Sequence, residues 1–249
     1  MAPLSPSDEW DAWADIYDQF HDFHTTSENI AEFLNRRELG KKVVDLGAGT
    51  GRTAVAFAQA GWDVVAVDIS PNMLTKLAEK SATAGVKVEC HLGDMREFDV
   101  GSGYDCVYSA SSAFFSLRTQ SDQLSCLAAC YRALRSGGEL IIECFMPDPG
   151  LLRPSSQINV RSVGTHDVRL TVTGADRVSQ RLRFVEIVIG PEGIQTYPVE
   201  LRYCWPAELD LMASVSGFTL IDRTSGYSGE SFNHGSARHV SVYRRNSAG

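Results

Sequence analysis

The sequence predicts a mixed α/β fold, a doubly wound and mostly parallel sheet interrupted after its fifth strand by an antiparallel β insert. Three observations predict it. Strand and helix signals alternate between residues 41 and 145, polar and apolar residues alternate between Gly150 and Cys204, and helix and strand signals resume at Pro206. With 249 residues, 43% hydrophobic and 22% charged, the chain has material for a sizeable core, and its 21 Gly and 9 Pro argue against a fibrous or disordered chain.

The elements follow in order. Thr25-x-x-Glu28 is a capping box ahead of Ile30, Phe33 and Leu34, which predicts an N-terminal helical layer over residues 1–40. Lys41 to Leu46 reads as a buried first strand, Arg52 to Ala60 as a helix closed by Gly61, and Asp63 to Asp68 as the second strand. Ser70 offers an N-cap with Pro71 at the first helical position, and Met73, Leu74, Leu77 and Ala78 stripe the helix that stops at Gly85. Val86 to Leu92 and Tyr104 to Ser109 are expected as strands three and four. Leu124, Leu127, Tyr131 and Leu134 stripe a helix expected to stop at Gly137-Gly138, and Glu139 to Phe145 is the fifth strand. Ile158 to Val163, Asp167 to Thr173, Arg177 to Ile189 and Ile194 to Cys204 have the alternation of antiparallel strands with one wet face. Pro206 opens a helix that ends at Gly217, and Phe218 to Thr224 and Arg238 to Arg244 bring the main sheet to seven strands. The domain boundaries expected are a helical cap over 1–40, a ligand-binding part over 41–149 and 205–249, and a lid over 150–204.

Charge and cysteine content narrow the function. A net charge of −8 disfavours a nucleic-acid partner held through phosphates. The charge is uneven, with nine acids against Arg36 and Arg37 in residues 1–40 and six arginines against three acids in residues 150–189. Six cysteines without a C-x-x-C pair suggest neither a zinc site nor a disulfide frame, and no metal is expected. No run approaches the roughly 18 apolar residues of a membrane span, and the start has no basic or apolar leader, so a cytoplasmic protein without a membrane partner is expected.

Asp45-Leu46-Gly47-Ala48-Gly49-Thr50-Gly51-Arg52 is a glycine-rich strand-to-helix turn at the first crossover, where open α/β sheets bind ligands. A dinucleotide fingerprint would place its third glycine at position 52, where this chain has Arg52. Asp45 is poorly placed beside a pyrophosphate and well placed beside a cation. Here the chain resembles the class I S-adenosylmethionine-dependent methyltransferases, whose first motif matches Asp45 to Gly51. The resemblance covers roughly residues 10 to 245 and implies a Rossmann-like seven-stranded sheet, S-adenosyl-L-methionine as cofactor and S-adenosyl-L-homocysteine as product. It implies that Asp68 binds the ribose hydroxyls, that Asp94 and Met95 clamp the adenine, and that Ser109 to Ser112 border the transferable methyl. Gly47, Ala48, Gly49, Gly51, Arg52, Ile69 and Tyr17 complete the cofactor set.

Tyr17-Asp18, the insert, and Tyr203-x-Trp205-Pro206-x-Glu208-Leu209 resemble small-molecule N-methyltransferases of the deoxyaminosugar, glycine and linaridin peptide types. Where the aminosugar branch has a histidine after Ser-Ser, this chain has Phe115. The expected acceptor is therefore an amine of a small molecule or peptide terminus in specialised metabolism, with Ser112, Phe115, Glu143, Tyr197 and Tyr203 on the acceptor side. Catalysis is assigned to Tyr17 near the methyl and to His234 as a base, against the rival readings of a packing tyrosine and a solvated loop histidine. Trp10, Trp13, Phe20 and Phe23 are candidates for a lid over the cofactor, and His21 and His24 for the pocket border. O-methylation is the nearest rival reaction, and a non-methylating binding module or cyclisation catalyst is the rival from another class. A homodimer through the insert is also expected.

Overall fold

The computed structural model describes residues 5–20, 27–148, 150–153 and 155–247. In chain order the elements are α1 (Pro6–Trp13), α2 (Tyr17–Phe20), α3 (Ser27–Asn35), β1 (Lys42–Leu46), α4 (Arg52–Gln59), β2 (Asp63–Asp68) and α5 (Pro71–Ala84). Then come β3 (Glu89–Leu92), β4 (Tyr104–Ser109), α6 (Gln120–Ala133) and β5 (Leu134–Phe145). The insert supplies β6 (Gln157–Val163), β7 (Val168–Asp176), β8 (Arg181–Gly190) and β9 (Gly193–Arg202), and the chain closes with α7 (Pro206–Val215), β10 (Phe218–Thr224) and β11 (Arg238–Arg245). No helix among the described residues is long and apolar enough to cross a membrane.

The seven-stranded sheet has the order β3-β2-β1-β4-β5-β11-β10, with β11 antiparallel to both neighbours. Strands β1 and β2 are buried on every residue after their first, because helices cover both faces. One face carries Ile30 and Leu34 of α3, Phe57 of α4 and Leu74 and Leu77 of α5. The other carries Leu127 of α6 and Leu209 and Met212 of α7. Ser70 caps α5 as its sequence predicts, accepting from the Met73 N–H at 3.0 Å, and Gly85 ends the helix at φ 66°. Topology reverses at β1, between β2 and β4, so the crevice beyond the C-terminal ends of these strands is the place for a ligand.

Strands β6 to β9 form a separate antiparallel sheet in sequence order. Its root is not separate: Leu182, Tyr203 and Cys204 belong to the same apolar cluster as Leu127 and Leu209. Several boundaries differ from expectation; in the insert β7 runs on to Asp176 and β8 begins at Arg181 and not Arg177, because Asp176 closes a turn by accepting from the Val178 N–H. Strand β3 begins at Glu89 and not Val86, since only Glu89 to Leu92 pair with β2. Helix α6 stops at Ala133, before the glycine pair, because Leu134 is already extended and pairs with Tyr104. The ladder then jumps to Cys106 with Glu139, and Gly137 at φ 71° turns the extra residues outward. The Thr25 capping box, His21, Phe23 and His24 lie outside the described residues, as does the side chain of Phe20.

Candidate functional site

A cavity of about 510 Å³ opens over the C-terminal ends of β1, β2 and β4, roofed by α1 and the insert. Asp45 stands at its floor, 1% exposed, and its Oδ2 has no hydrogen-bond partner among the described residues. Burial and then the neighbouring Asp68 charge push its carboxyl up to about 7, against the pull of Arg52 and the Ala54 N–H. A buried carboxylate oxygen with no donor is a site for a cationic group.

The glycine-rich turn shapes the floor. A Cβ on Gly47 (φ 72°) would lie 2.7 Å from the Ala113 Cβ, and one on Gly51 (φ 84°) 2.4 Å from the Leu77 Cγ, so both positions need glycine for packing as well as for conformation. A Cβ on Gly49 would meet no protein atom within 4 Å, and Gly49 lines the cavity. Its N–H donates to Asp68 Oδ2 at 2.7 Å, while the Ser70 N–H donates to Oδ1 at 2.9 Å. Asp68 thereby ties the turn to the end of β2 and keeps further lone pairs for a ligand. Ala48, Arg52, Ile69, Asp94 and Met95 line the same cavity. Partial burial pushes the Asp94 carboxyl up, but Arg96, whose Nε donates at 2.9 Å and Nη2 at 2.6 Å, holds it below the usual range.

The N-terminal helices close one side. Lys80 Nζ lies 2.6 Å from Asp18 Oδ2, and Thr50 Oγ1 donates to Asp18 Oδ1 at 2.7 Å, which pins α2 to the glycine-rich turn. The Asn72 N–H donates to Asp11 Oδ1 at 3.1 Å, pinning α1 to the start of α5. Trp10, Trp13 and Tyr17 line the cavity, with the Tyr17 ring edge-on to Trp10 at 6.4 Å and to Trp13 at 6.5 Å. Burial pushes the Tyr17 phenol up to about 12 despite Arg52. At neutral pH Tyr17 is therefore a hydrogen-bond donor and not a base.

After β4 the chain turns through two consecutive left-handed residues that are not glycine, Ser111 at φ 52° and Ser112 at φ 61°. Such backbone costs of order 1–3 kcal/mol per residue and is held by its surroundings. Glu143 Oε2 accepts from the Ser111 N–H at 2.5 Å, the Glu143 carbonyl accepts from the Ser112 N–H at 3.0 Å, and the Phe145 N–H donates to Ser112 Oγ at 3.0 Å. Arg52 Nη2 donates to Ser111 Oγ at 2.9 Å. Ser111 and Ser112 line the cavity as a result.

Several expected site residues are placed elsewhere. Ser109 is buried inside β4 and off the cavity wall, which begins at Ala110. Glu143 is likewise off the wall, spent on the serine turn behind it. Phe115 is fully buried edge-on to Phe145, and Tyr203 packs in the core edge-on to Trp205. Tyr197 lies against Trp13 at 5.5 Å and is not among the lining residues. His234 is exposed in the β10–β11 loop and does not reach the wall, because Asn233 folds that loop into its own turn, accepting from the Gly235 N–H at 2.9 Å. Sequence reasoning missed Arg118, Arg161, Glu186 and Glu200 as wall residues, all of which line the cavity. Strand parity in the insert was the available signal for Glu186, two residues after the wall residue Phe184.

The methyltransferase-domain family matches residues 43–138, which span the glycine-rich turn and the acidic strand ends. The cypemycin N-terminal methyltransferase of Streptomyces sp is 30% identical over 207 residues, covering 83% of this chain and 84% of that protein. The glycine/sarcosine N-methyltransferase of Parasynechococcus marenigrum (strain WH8102) is 28% identical over 136 residues, covering 53% and 48%. The solved structure of the CcbJ methyltransferase from Streptomyces caelestis superposes with a TM-score of 0.88 at 31% identity, covering 98% of this chain and all of the other. With the strand order, the glycine-rich turn and relatives spanning nearly the full chain in agreement, this protein belongs to the class I S-adenosylmethionine-dependent methyltransferases.

Proposed function

We propose that the protein methylates an amine nitrogen of a small molecule or peptide terminus in specialised metabolism. The observation that carries this reading is the charge of the cavity wall. Asp45, Asp68, Asp94, Asp122, Glu186 and Glu200 face Arg52, Arg96, Arg118 and Arg161, and Arg96 and Arg118 are already committed to carboxylates. An acidic and aromatic wall suits cationic ligands. The names of the peptide and glycine N-methyltransferases it resembles agree with a nitrogen acceptor.

The residues present fit S-adenosylmethionine. Asp45 Oδ2 would take its ammonium, Asp68 its ribose hydroxyls, and Asp94 with Met95 its adenine, while Gly47, Ala48, Gly49, Arg52 and Ile69 would surround it; the expected Gly51 is off the wall, packed against Leu77. The open space at Gly49 is the cradle a side chain would fill. Bound there, the cofactor supplies an electrophilic methyl carbon on a sulfonium. The protein's part is positioning and exclusion of water. Tyr17 Oη keeps its proton and offers it as a hydrogen bond, and α1 with the insert covers the cavity. With His234 outside the wall, it is not assigned as a base in this reading.

Residues 150–204 act as an acceptor-selecting lid, 1–40 as a helical cap, and 41–149 with 205–249 as the cofactor-binding part. β6 is an edge strand with Ile158, Val160 and Val163 exposed, which supports pairing of two lids in a homodimer, a reading that sedimentation velocity checks. Six free cysteines fit a reducing cytoplasm, and a net charge of −8 fits a protein that does not bind nucleic acid. The experiment for the reaction is incubation with methyl-labelled cofactor and a panel of amines, alcohols and carboxylic acids, followed by NMR of the labelled products. Label on nitrogen is expected, and label confined to oxygen would overturn the amine reading.

A further inference from the structure

Glu186 stands on β8, two residues from Phe184, and both line the cavity from the lid side. It is 8% exposed. Thr171, its cross-strand neighbour on β7, donates Oγ1 to Glu186 Oε1 at 2.6 Å. Oε2 is buried and has no donor among the described residues. Tyr197, the neighbour on β9, directs its hydroxyl to Gln195 Oε1 at 3.1 Å.

The other buried glutamates show how unusual this is in the molecule. Glu139 meets Arg37 and Arg244, Glu143 meets the Ser111 N–H, and Glu9 meets Arg118. Among these four, only Glu186 has a fully buried oxygen without a hydrogen-bond partner among the described residues. A buried carboxylate oxygen in that state is a cost to the fold, and a neutral side chain of the same shape would remove the part of it due to charge. What would satisfy Oε2 is a donor entering the cavity, between Phe184 on the lid and the aromatic side chains of α1.

Resting on the amine reading above, we propose that Glu186 is the acceptor-binding residue of the lid, accepting through Oε2 from a protonated or N–H-bearing nitrogen. The substrate class is then an amine with an apolar or aromatic body, its nitrogen on Glu186 and its body against Phe184, Trp13 and Tyr17. Thr171 positions the carboxylate by holding Oε1.

The test uses the whole protein saturated with S-adenosylhomocysteine, titrated calorimetrically with 2-phenylethylamine and with its neutral counterpart 2-phenylethanol. The amine is expected to bind the wild type at least about tenfold tighter than the alcohol, the span of a hydrogen bond to a charged group. Glu186→Gln should lose at least about tenfold for the amine and little for the alcohol, with S-adenosylhomocysteine affinity unchanged. Its melting temperature should hold or rise, because Oε2 has no protein partner to lose. Equal loss for both probes with a lowered melting temperature would assign Glu186 to the fold and overturn the proposal. Unchanged amine affinity in Glu186→Gln, or no amine binding to the wild type, would overturn it too. The two readings fail separately: nitrogen labelling that survives Glu186→Gln sinks the anchor alone, whereas labelling confined to oxygen sinks the amine reading itself.

Discussion

Asp45 is ionised only at a cost, and that cost couples cofactor binding to pH. Burial and the Asp68 charge raise its carboxyl to about 7, so at that pH the unliganded protein carries it half protonated. A cationic ligand selects the ionised form and releases the proton. Affinity for S-adenosylmethionine should therefore rise by about tenfold between pH 5.5 and 7 and then level, a window in which the ligand's own ammonium stays charged. Calorimetry over that range, with Asp45→Asn giving a flat and weaker profile, checks it. The sign for stability is opposite. A carboxyl raised in the fold contributes stability fully present below its unfolded value of 3.8 and lost as pH rises through about 7. Asp45→Asn should accordingly melt at least about 2–4 °C higher than the wild type at pH 7.5 without ligand, corresponding to roughly 1 kcal/mol in a chain of this size. A variant that loses both ligand affinity and melting temperature would mean that Asp45 holds the fold together and not the ligand.

Among the elements, α1 is the one whose placement depends most on distant side chains. Arg118 donates to Glu9 on α1 and lies 3.9 Å from Glu200 on β9, so one guanidinium joins the helix to the lid across the cavity mouth. Burial raises the Glu9 carboxyl even with Arg118 beside it. Removing the arginine leaves two acids facing each other in a half-buried space, and breaking such a pair costs about 3 kcal/mol. Arg118→Ala should speed amide exchange of residues 6–13 by at least about tenfold while leaving residues 75–84 of α5 unchanged, measured by mass spectrometry. Unaltered exchange in α1 would show that Trp13 and its apolar neighbours suffice. This tie was not legible in the sequence, because Glu9 and Arg118 are 109 positions apart and form no local pattern. What was legible is what local chemistry fixes. β2, β4, β10 and α5 carry their start and stop signals in adjacent residues, and Asp45, Asp68 and Asp94 reach one sheet edge by topology once those elements are known. The motif-borne residues Phe115 and Tyr203 misled for the same reason in reverse: spacing located them near the edge, and packing turned both inward. Helix α6 was read too long because Leu134 fits an apolar helical stripe as well as it fits a strand.

On the scale of the whole molecule, the lid is an insert by sequence but shares its root with the main core. Arg202, 6% exposed, donates Nη2 to Gln180 Oε1 at 2.7 Å and to Glu208 Oε1 at 2.6 Å, and Nη1 to Gln123 Oε1. Gln123 Nε2 returns a bond to the Arg202 carbonyl at 3.0 Å. This cluster joins the turn before β8, the end of β9, α6 and α7, directly over the shared packing of Leu182, Cys204 and Leu209. An independent lid would unfold in its own transition. A lid whose base is part of the main core exposes Leu127 and Leu209 when it leaves, so the two should unfold together. Trp13 reports the lid side through Tyr197, and Trp62 reports the far side of the sheet, where its Nε1 donates to Asn35 Oδ1 at 2.9 Å beneath the Lys41 ammonium. Variants keeping only one of these tryptophans should give coincident urea midpoints by fluorescence. Arg202→Ala removes the cation from a buried cluster and should cost about 3–5 kcal/mol, which lowers the melting temperature by roughly 6–20 °C. In that variant the Trp13 midpoint should fall ahead of the Trp62 midpoint, because the root is where the two sheets are coupled. If the midpoints already separate in the wild type, the lid is a domain of its own and Arg202 is not the joint.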